Sequence, residues 1–340
     1  MIRIQNIYYM LAYAFQVLRG QGYASCGTES FEHTADLLSA ILIKGVSIQI
    51  KRGLSKTYLE ETESLSCLRG KIDISESLKQ QSFVKGRLVC SYDCFSTNAY
   101  PNRILKTTME VLLRGDLPKK RKKELRNLLL YFQEVEILDS RHIDWNIRYN
   151  RNNQTYQMLI SVCYLVLEGL LQTQTDGSVK LMEFLDEQRM CRLYEKFILE
   201  YYRKEYPQLR ASASQIEWAL DCGENMMLPT MQTDVTLTYG NRILIIDAKY
   251  YSHTTQVQYD LHTIHSGNLY QIFTYVKNKA VGGADVAGML LYAKTDEIVQ
   301  PDNTYMMSGN RISVKTLDLD CAFSEIAAQL NAIADEFMAL

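Results

Sequence analysis

Apolar residues recur at helical spacing over residues 6–18, with Tyr8, Tyr9, Tyr13 and Phe15 among them, so the chain is expected to open on an amphipathic helix. A second apolar helix is predicted over 34–50. Residues 56–61, 66–73 and 87–95 alternate and predict strands. Helices are then predicted over 102–113 and 119–134. The Asn- and Arg-rich stretch 146–153 predicts a loop.

The second half has a different rhythm. A strongly apolar helix is predicted over 156–171, a polar break over 173–177 and a helix over 182–206 that stops at Pro207. Strands follow at 215–220, 231–238 and 242–250, then a helix at 269–278, strands at 286–293 and 311–317, and a last helix at 322–338. Helix, three strands, helix, strand is a mixed α/β order. The expected division is an N-terminal domain over 1–150 and a second domain over 151–340.

Composition narrows the picture. The chain has 340 residues, 47% of them hydrophobic, enough for two ordinary globular cores. No apolar run is long enough to cross a membrane, and the start lacks a secretory pattern, so a cytoplasmic protein is expected. The eight cysteines are scattered without a CxxC pair, which favours incidental thiols over zinc ligands. A net charge of −2 gives no global attraction to nucleic acid, so DNA would have to be captured locally or delivered by a partner. The basic run from Lys119 to Lys123 reads most simply as a solvated helix start. No GxxxxGK[ST] loop is present, so the chain is not expected to hydrolyse nucleotides itself.

The candidate chemistry lies on two predicted strands joined at Tyr239-Gly240-Asn241. The first carries Asp234; the second is the apolar run from Ile243 to Ile246, ending in Asp247-Ala248-Lys249. Side chains alternate along a strand, so Asp247 and Lys249 share a face, and a hairpin brings Asp234 near it. Two carboxylates and an ammonium would then converge. Such a group can hold a hard divalent cation and stabilise a developing oxyanion. Asp-x-Lys at a strand end also arises by chance, and a surface ion pair is the plainer reading of that motif taken alone. Asp234 adds weight, because a carboxylate inside an apolar strand is costly unless paired or metal-bound. His262 and His265, near Asp260, lack a clear third ligand and read as a loop or surface pair.

The ordered set Glu195, Asp234, Asp247-Ala248-Lys249 and Gln271-Ile272-Phe273-Thr274-Tyr275 resembles the PD-(D/E)xK nuclease superfamily, the last segment matching its QxxxY motif. Thr233 stands where that signature has proline. The resemblance implies a central mixed sheet flanked by helices and magnesium-dependent phosphodiester hydrolysis. Asp234, Asp247, the Ala248 carbonyl and Glu195 would be metal ligands; Lys249 would orient water or stabilise charge, and Gln271 would contact the phosphate or the lysine. A second, longer resemblance is to McrC-type proteins. It is carried by residues 4–15, by Leu68-Arg69-Gly70-Lys71-Ile72, by Cys90-Ser91-Tyr92-Asp93 with Asn102-Arg103-Ile104-Leu105-Lys106, and by Leu193-Tyr194-Glu195-Lys196-Phe197. It implies the nuclease subunit of a modification-dependent restriction system, acting on double-stranded, methylated DNA with a McrB-like AAA+ GTPase hexamer that binds the GTP. The N-terminal domain would dock to that motor, with Arg69, Lys71, Asn102 and Arg103 as candidate contacts, although local ion pairs and helix capping explain each of them as well. The alternatives are a self-sufficient nuclease of the same superfamily and a non-catalytic activator of a motor.

Overall fold

A computed structural model describes residues 2–15, 23, 29, 31, 33–149, 154–168, 171–173, 179–181, 187–223, 227–251, 255–258 and 261–339. The elements in chain order are α1 (Ile4–Ala14), α2 (Thr34–Arg52), β1 (Thr57–Leu65), β2 (Lys71–Ile72), α3 (Ile74–Lys79), β3 (Leu88–Ser96), α4 (Tyr100–Arg114), α5 (Lys119–Leu129), α6 (Gln154–Leu167), β4 (Leu171–Thr173), β5 (Val179–Leu181) and α7 (Glu187–Glu205). They continue with β6 (Gln215–Ile216), β7 (Met231–Gln232), β8 (Val235–Tyr239), β9 (Arg242–Lys249), β10 (Thr255–Gln258), β11 (Leu261–Ile264), α8 (Ser266–Ala280), β12 (Asp285–Ala293), β13 (Asn303–Met307), β14 (Asn310–Leu317) and α9 (Phe323–Ala339). The mixed α/β class expected from the sequence is the class observed.

Residues Leu38–Leu181 form one compact unit. Its core is made by Leu38, Ile41, Leu42 and Val46 of α2, by Ile104, Leu105, Met109 and Leu112 of α4, and by Tyr156, Leu159, Val162 and Val166 of α6. Its three-stranded antiparallel sheet has the order β1-β3-β2. The strand expected over 66–73 shrinks to Lys71–Ile72, because Gly70 takes a left-handed φ of 68° and turns the chain. A Cβ on Gly70 would sit 2.4 Å from the Ser91 carbonyl oxygen, so only glycine allows this approach to β3. The helix expected to reach residue 134 ends at Leu129 and passes into a 3-10 turn over Leu130–Phe132.

Met1–Leu37 and Met182–Leu340 form the other unit, which overturns the expected split at residue 150. The reason is the apolar face of α1. Tyr13 packs on Phe197 and Tyr201 of α7 with ring centroids 5.7 and 5.2 Å apart. Tyr9 stacks on Phe323 at 4.5 Å, and the buried Asn6 amide donates to the carbonyls of Leu319 and Cys321. The opening helix therefore belongs to the core built by the last third of the chain. Such a contact, more than 300 residues away in sequence, leaves no local signature.

The centre of this unit is a five-stranded mixed sheet in the order β13-β14-β12-β9-β8. The β9–β12 and β12–β14 pairs are parallel, and the two edge pairs antiparallel. Being internal and covered, β9 reads as a continuous apolar run rather than an alternating one. Residues 243, 245, 247 and 249 share the face toward α8, as the packing of Ile245, Leu290 and Val314 around Ile272 and Val276 shows. Gly288 permits this packing: a Cβ there would meet Ile272 and Val276 at 2.8 Å. Edge strand β13 went unpredicted because its residues are nearly all exposed, so no alternation marks it. Among the described residues, no helix is long and apolar enough to cross a membrane.

Candidate active site

The predicted hairpin forms. Gly240, at a φ of 60°, supplies the positive dihedral that a two-residue turn needs at its first central position, and β8 pairs with β9 from Tyr239↔Arg242 to Val235↔Ile246. One step further along this register, Asp234 lies across from Asp247. Asp234 is not inside a strand, as the pattern over 231–238 suggested. It sits at a bend between β7 and β8, and its Oδ2 accepts the Ala248 amide at 2.8 Å. That bond replaces the next rung of the ladder and turns the carboxylate toward the C-terminal end of β9.

Asp247 is 1% exposed, and its Oδ2 lies 2.9 Å from Lys249 Nζ. This contact has the distance of an ion pair, and among the described residues no other group bonds this fully buried carboxylate oxygen. Lys249 Nζ also donates to Gln271 Oε1 at 3.2 Å, and Gln271 Nε2 donates to the Tyr275 hydroxyl at 3.0 Å. Gln271 and Tyr275 lie one turn apart on α8, so the helix carries a relay that fixes the lysine head. The expected Asp234, Asp247, Lys249 and Gln271 are thus brought together.

The charges are strained. Burial pushes Asp247 up to about 7; the Lys249 charge relieves this in part, and the Asp234 charge adds to it. Burial also raises Asp234 against the stabilising Ala248 amide. For Lys249, burial works toward deprotonation, but the Asp247 charge overrides it and keeps the ammonium protonated above its ordinary range. Glu195 on α7 is drawn upward by burial and then by Asp234, and its Oε1 accepts the Cys191 thiol at 3.1 Å. It borders the aspartates without joining the Asp247–Lys249 contact.

Among the described residues, no three His, Cys, Asp or Glu side chains form a ready-made cage for a cation. A hard cation of magnesium's size does not need one: it commonly takes one or two carboxylates and leaves its other positions to water and substrate oxygens. The buried Asp247 carboxylate, held by Lys249 alone, and the facing Asp234 carboxylate fit that donor set, with Glu195 as an outer carboxylate.

A stability measurement follows from the raised Asp247. The folded chain holds more protons than the unfolded chain between the ordinary aspartate value near 4 and about 7. Stability contributed by the protonated form is therefore lost as pH rises through that window. We expect the melting temperature of the full chain to fall over it relative to Asp247→Asn, and added divalent cation to restore it at the upper end. Parallel pH profiles for the two proteins would refute the assignment.

Three neighbours escaped the sequence reading. The Asn268 amide donates to the Tyr292 hydroxyl at 2.9 Å, and its carbonyl oxygen accepts from Tyr251 at 3.4 Å. Asn268 lies three residues before Gln271, so helical spacing alone could have flagged it. Tyr292 pairs with Lys249 only through the parallel β9–β12 register, which no local pattern reveals. His265 caps α8 and faces the Tyr251 ring at 5.4 Å; His262 lies on β11, and Asp260 falls outside the described residues.

The candidate partner residues divide. Arg69 and Lys71 are exposed, Arg69 lying 3.9 Å from the Tyr92 ring centroid. Arg103 is half-buried and pairs with Glu136 at 3.0 Å. Asn102 is corrected: it is fully buried, donating to the carbonyls of Ser55 and Thr97 and accepting from the Tyr156 hydroxyl. It is an internal clamp and presents nothing to a partner.

Comparison with known proteins agrees with this architecture. The family model described as McrBC 5-methylcytosine restriction system component matches residues 4–293. The chain is 28% identical over 345 residues to the type IV methyl-directed restriction enzyme EcoKMcrBC of Escherichia coli strain K12, covering 99% of this chain and 98% of that protein. Its fold matches a chain of the half-complex refined from a tetradecameric assembly of Thermococcus gammatolerans McrB AAA+ hexamers with bound McrC. That match has a TM-score of 0.53 and 16% identity, over 96% of this chain and 76% of that one. A structure of the McrBC complex from the same organism matches over 59% of this chain and 58% of that one, with 17% identity and a TM-score of 0.42.

Proposed function

Because the chain belongs to the McrBC family of 5-methylcytosine restriction system components, we propose that it is the subunit that cuts DNA in such a system, a magnesium-dependent endodeoxyribonuclease. The observation that carries this reading is the meeting of Asp234 and Asp247 with the Lys249 ammonium, itself held by Gln271. Asp234 and Asp247 would hold a divalent cation, which would supply neutralisation of the phosphate charge and easier attack by water. The chain's own residues do the rest. Asp234 and Asp247 hold the positive charge in place, with the Ala248 carbonyl and Glu195 as further oxygen donors. Lys249 stays protonated and lies where negative charge develops on the phosphate, an electrostatic role that needs no movement of the side chain. Gln271 fixes the ammonium, and Tyr275 fixes Gln271.

The partner in this reading is a McrB-like AAA+ GTPase hexamer. The Thermococcus structure has McrB hexamers with bound McrC, and this chain would take the McrC position. The motor would bind GTP and bring double-stranded, methylated DNA, which suits a cutting subunit of net charge −2. The unit Leu38–Leu181, with exposed Arg69 and Lys71, would dock to it and stimulate its GTPase.

The test is cleavage of methylated plasmid by the full chain with its AAA+ partner, GTP and magnesium. Cutting should require all three and stop on chelation. Cutting by the chain alone, without partner or GTP, would replace the restriction-subunit reading by that of a self-sufficient nuclease. No cutting under any of these conditions, with GTPase stimulation intact, would leave only an activator.

A further inference from the structure

A groove of about 260 Å³ lies beside Asp234 along α7. One wall is Arg192, Glu195 and Lys196, which helical spacing places on one face; the other is Gln232, Thr233 and Asp234. The groove therefore mixes the carboxylates of Glu195 and Asp234 with the cations of Arg192 and Lys196, Arg192 standing about one helical turn before Glu195. We infer that it seats the sugar-phosphate backbone of the cleaved strand next to the bond that is cut, with Arg192 contacting the neighbouring phosphate. This inference rests on the nuclease reading of the aspartate pair and extends it to a strand path.

The two cations do not play equal parts. Lys196 Nζ lies 3.9 Å from the centroid of the Phe15 ring, which fixes the ammonium against α1. Arg192 is exposed, and its charge acts on Glu195, four residues after Cys191 and beside the aspartates. A guanidinium presents a planar fork that matches phosphate oxygens. The lining also says which part of a nucleic acid fits. Its charged members are Arg192, Glu195, Lys196 and Asp234, set beside the apolar Leu199 and Ala213 and without an aromatic face on which a base stacks, so a cation here meets the backbone and carries no sequence preference. Asp234 and Glu195 repel a phosphate directly, which leaves the Arg192 end of the groove as the place for the flanking phosphate and the aspartate pair, with its cation, for the one that is cut.

The experiment is a fluorescence-anisotropy titration of the full chain with a labelled 20-base-pair duplex, calcium replacing magnesium, at several potassium chloride concentrations. Arg192→Gln is expected to weaken binding by about tenfold at low salt and to reduce the slope of log affinity against log salt by about one, the signature of a single lost phosphate contact. Arg192→Lys should retain the slope, which a merely structural role for the side chain would not require. An unchanged affinity and slope in Arg192→Gln, or the absence of salt-dependent binding by the unsubstituted chain, overturns the groove. Dependence of plasmid cutting on Asp247 is read separately, so the groove can fail while the cleavage site stands.

Discussion

Replacing Asp247 with asparagine is expected to lower plasmid cleavage by the complete system by roughly a hundredfold to a thousandfold, the range seen when one preorganised charge-stabilising group is removed. Asparagine keeps the size of the side chain and removes its charge. The buried Asp247 oxygen held by Lys249 alone is then an amide or a neutral carbonyl, a poor donor for a hard cation. Lys249 simultaneously loses its ion-pair partner, so the site is changed at both of its charged centres. Stimulation of the partner's GTPase should persist, because the substitution lies in the unit formed by Met1–Leu37 and Met182–Leu340, whereas docking is assigned to Leu38–Leu181. Loss of both activities together would show that the substitution unfolds the protein or that the division of labour is wrong. Full cleavage by Asp247→Asn would remove the catalytic assignment.

Asn102→Ala is expected to destabilise the chain more than any single change at the candidate docking residues. The fully buried Asn102 amide donates to two carbonyls at 2.8 Å each, both part-buried, and accepts the buried Tyr156 hydroxyl at 2.7 Å. Truncation strands these partners away from water, and each stranded group costs about 1–3 kcal/mol. A total of about 3 kcal/mol corresponds to a fall in melting temperature of roughly 10 °C for a unit of this size. Thermal unfolding followed by circular dichroism reads this directly. An unchanged melting temperature combined with lost GTPase stimulation would return Asn102 to the partner surface. Arg69→Ala and Lys71→Ala, at exposed positions, should leave the melting temperature nearly unchanged.

The meeting of Asp234, Asp247, Lys249 and Gln271 was legible in the sequence because its information is local. Asp247 and Lys249 share a face by strand alternation, Gly240 forces the tight hairpin, and the register that follows sets Asp234 opposite Asp247. Gln271 and Tyr275 declare themselves by helical spacing. What stayed hidden depends on contacts far apart in sequence. Asn6 reaches Leu319 and Cys321, and no periodicity within α1 shows that it joins the last third of the chain. Tyr292 enters the surroundings of the site through a parallel pairing whose register is set by the whole sheet. Asn102 misled for a related reason: a polar residue at the start of a helix looks like a surface group until the carbonyls of Ser55 and Thr97 are seen to converge on it. The bend at Asp234 also defeated the strand pattern, since a carboxylate that bonds the neighbouring strand's amide interrupts the element it was expected to occupy.

Everything functional in this account depends on a divalent cation settling between Asp234 and Asp247. A crystal of the full chain grown with manganese and measured at the manganese absorption edge tests this most directly. An anomalous peak is expected between the two carboxylates, absent from crystals of Asp247→Asn. Manganese bound elsewhere, with no peak between these side chains, would contradict it.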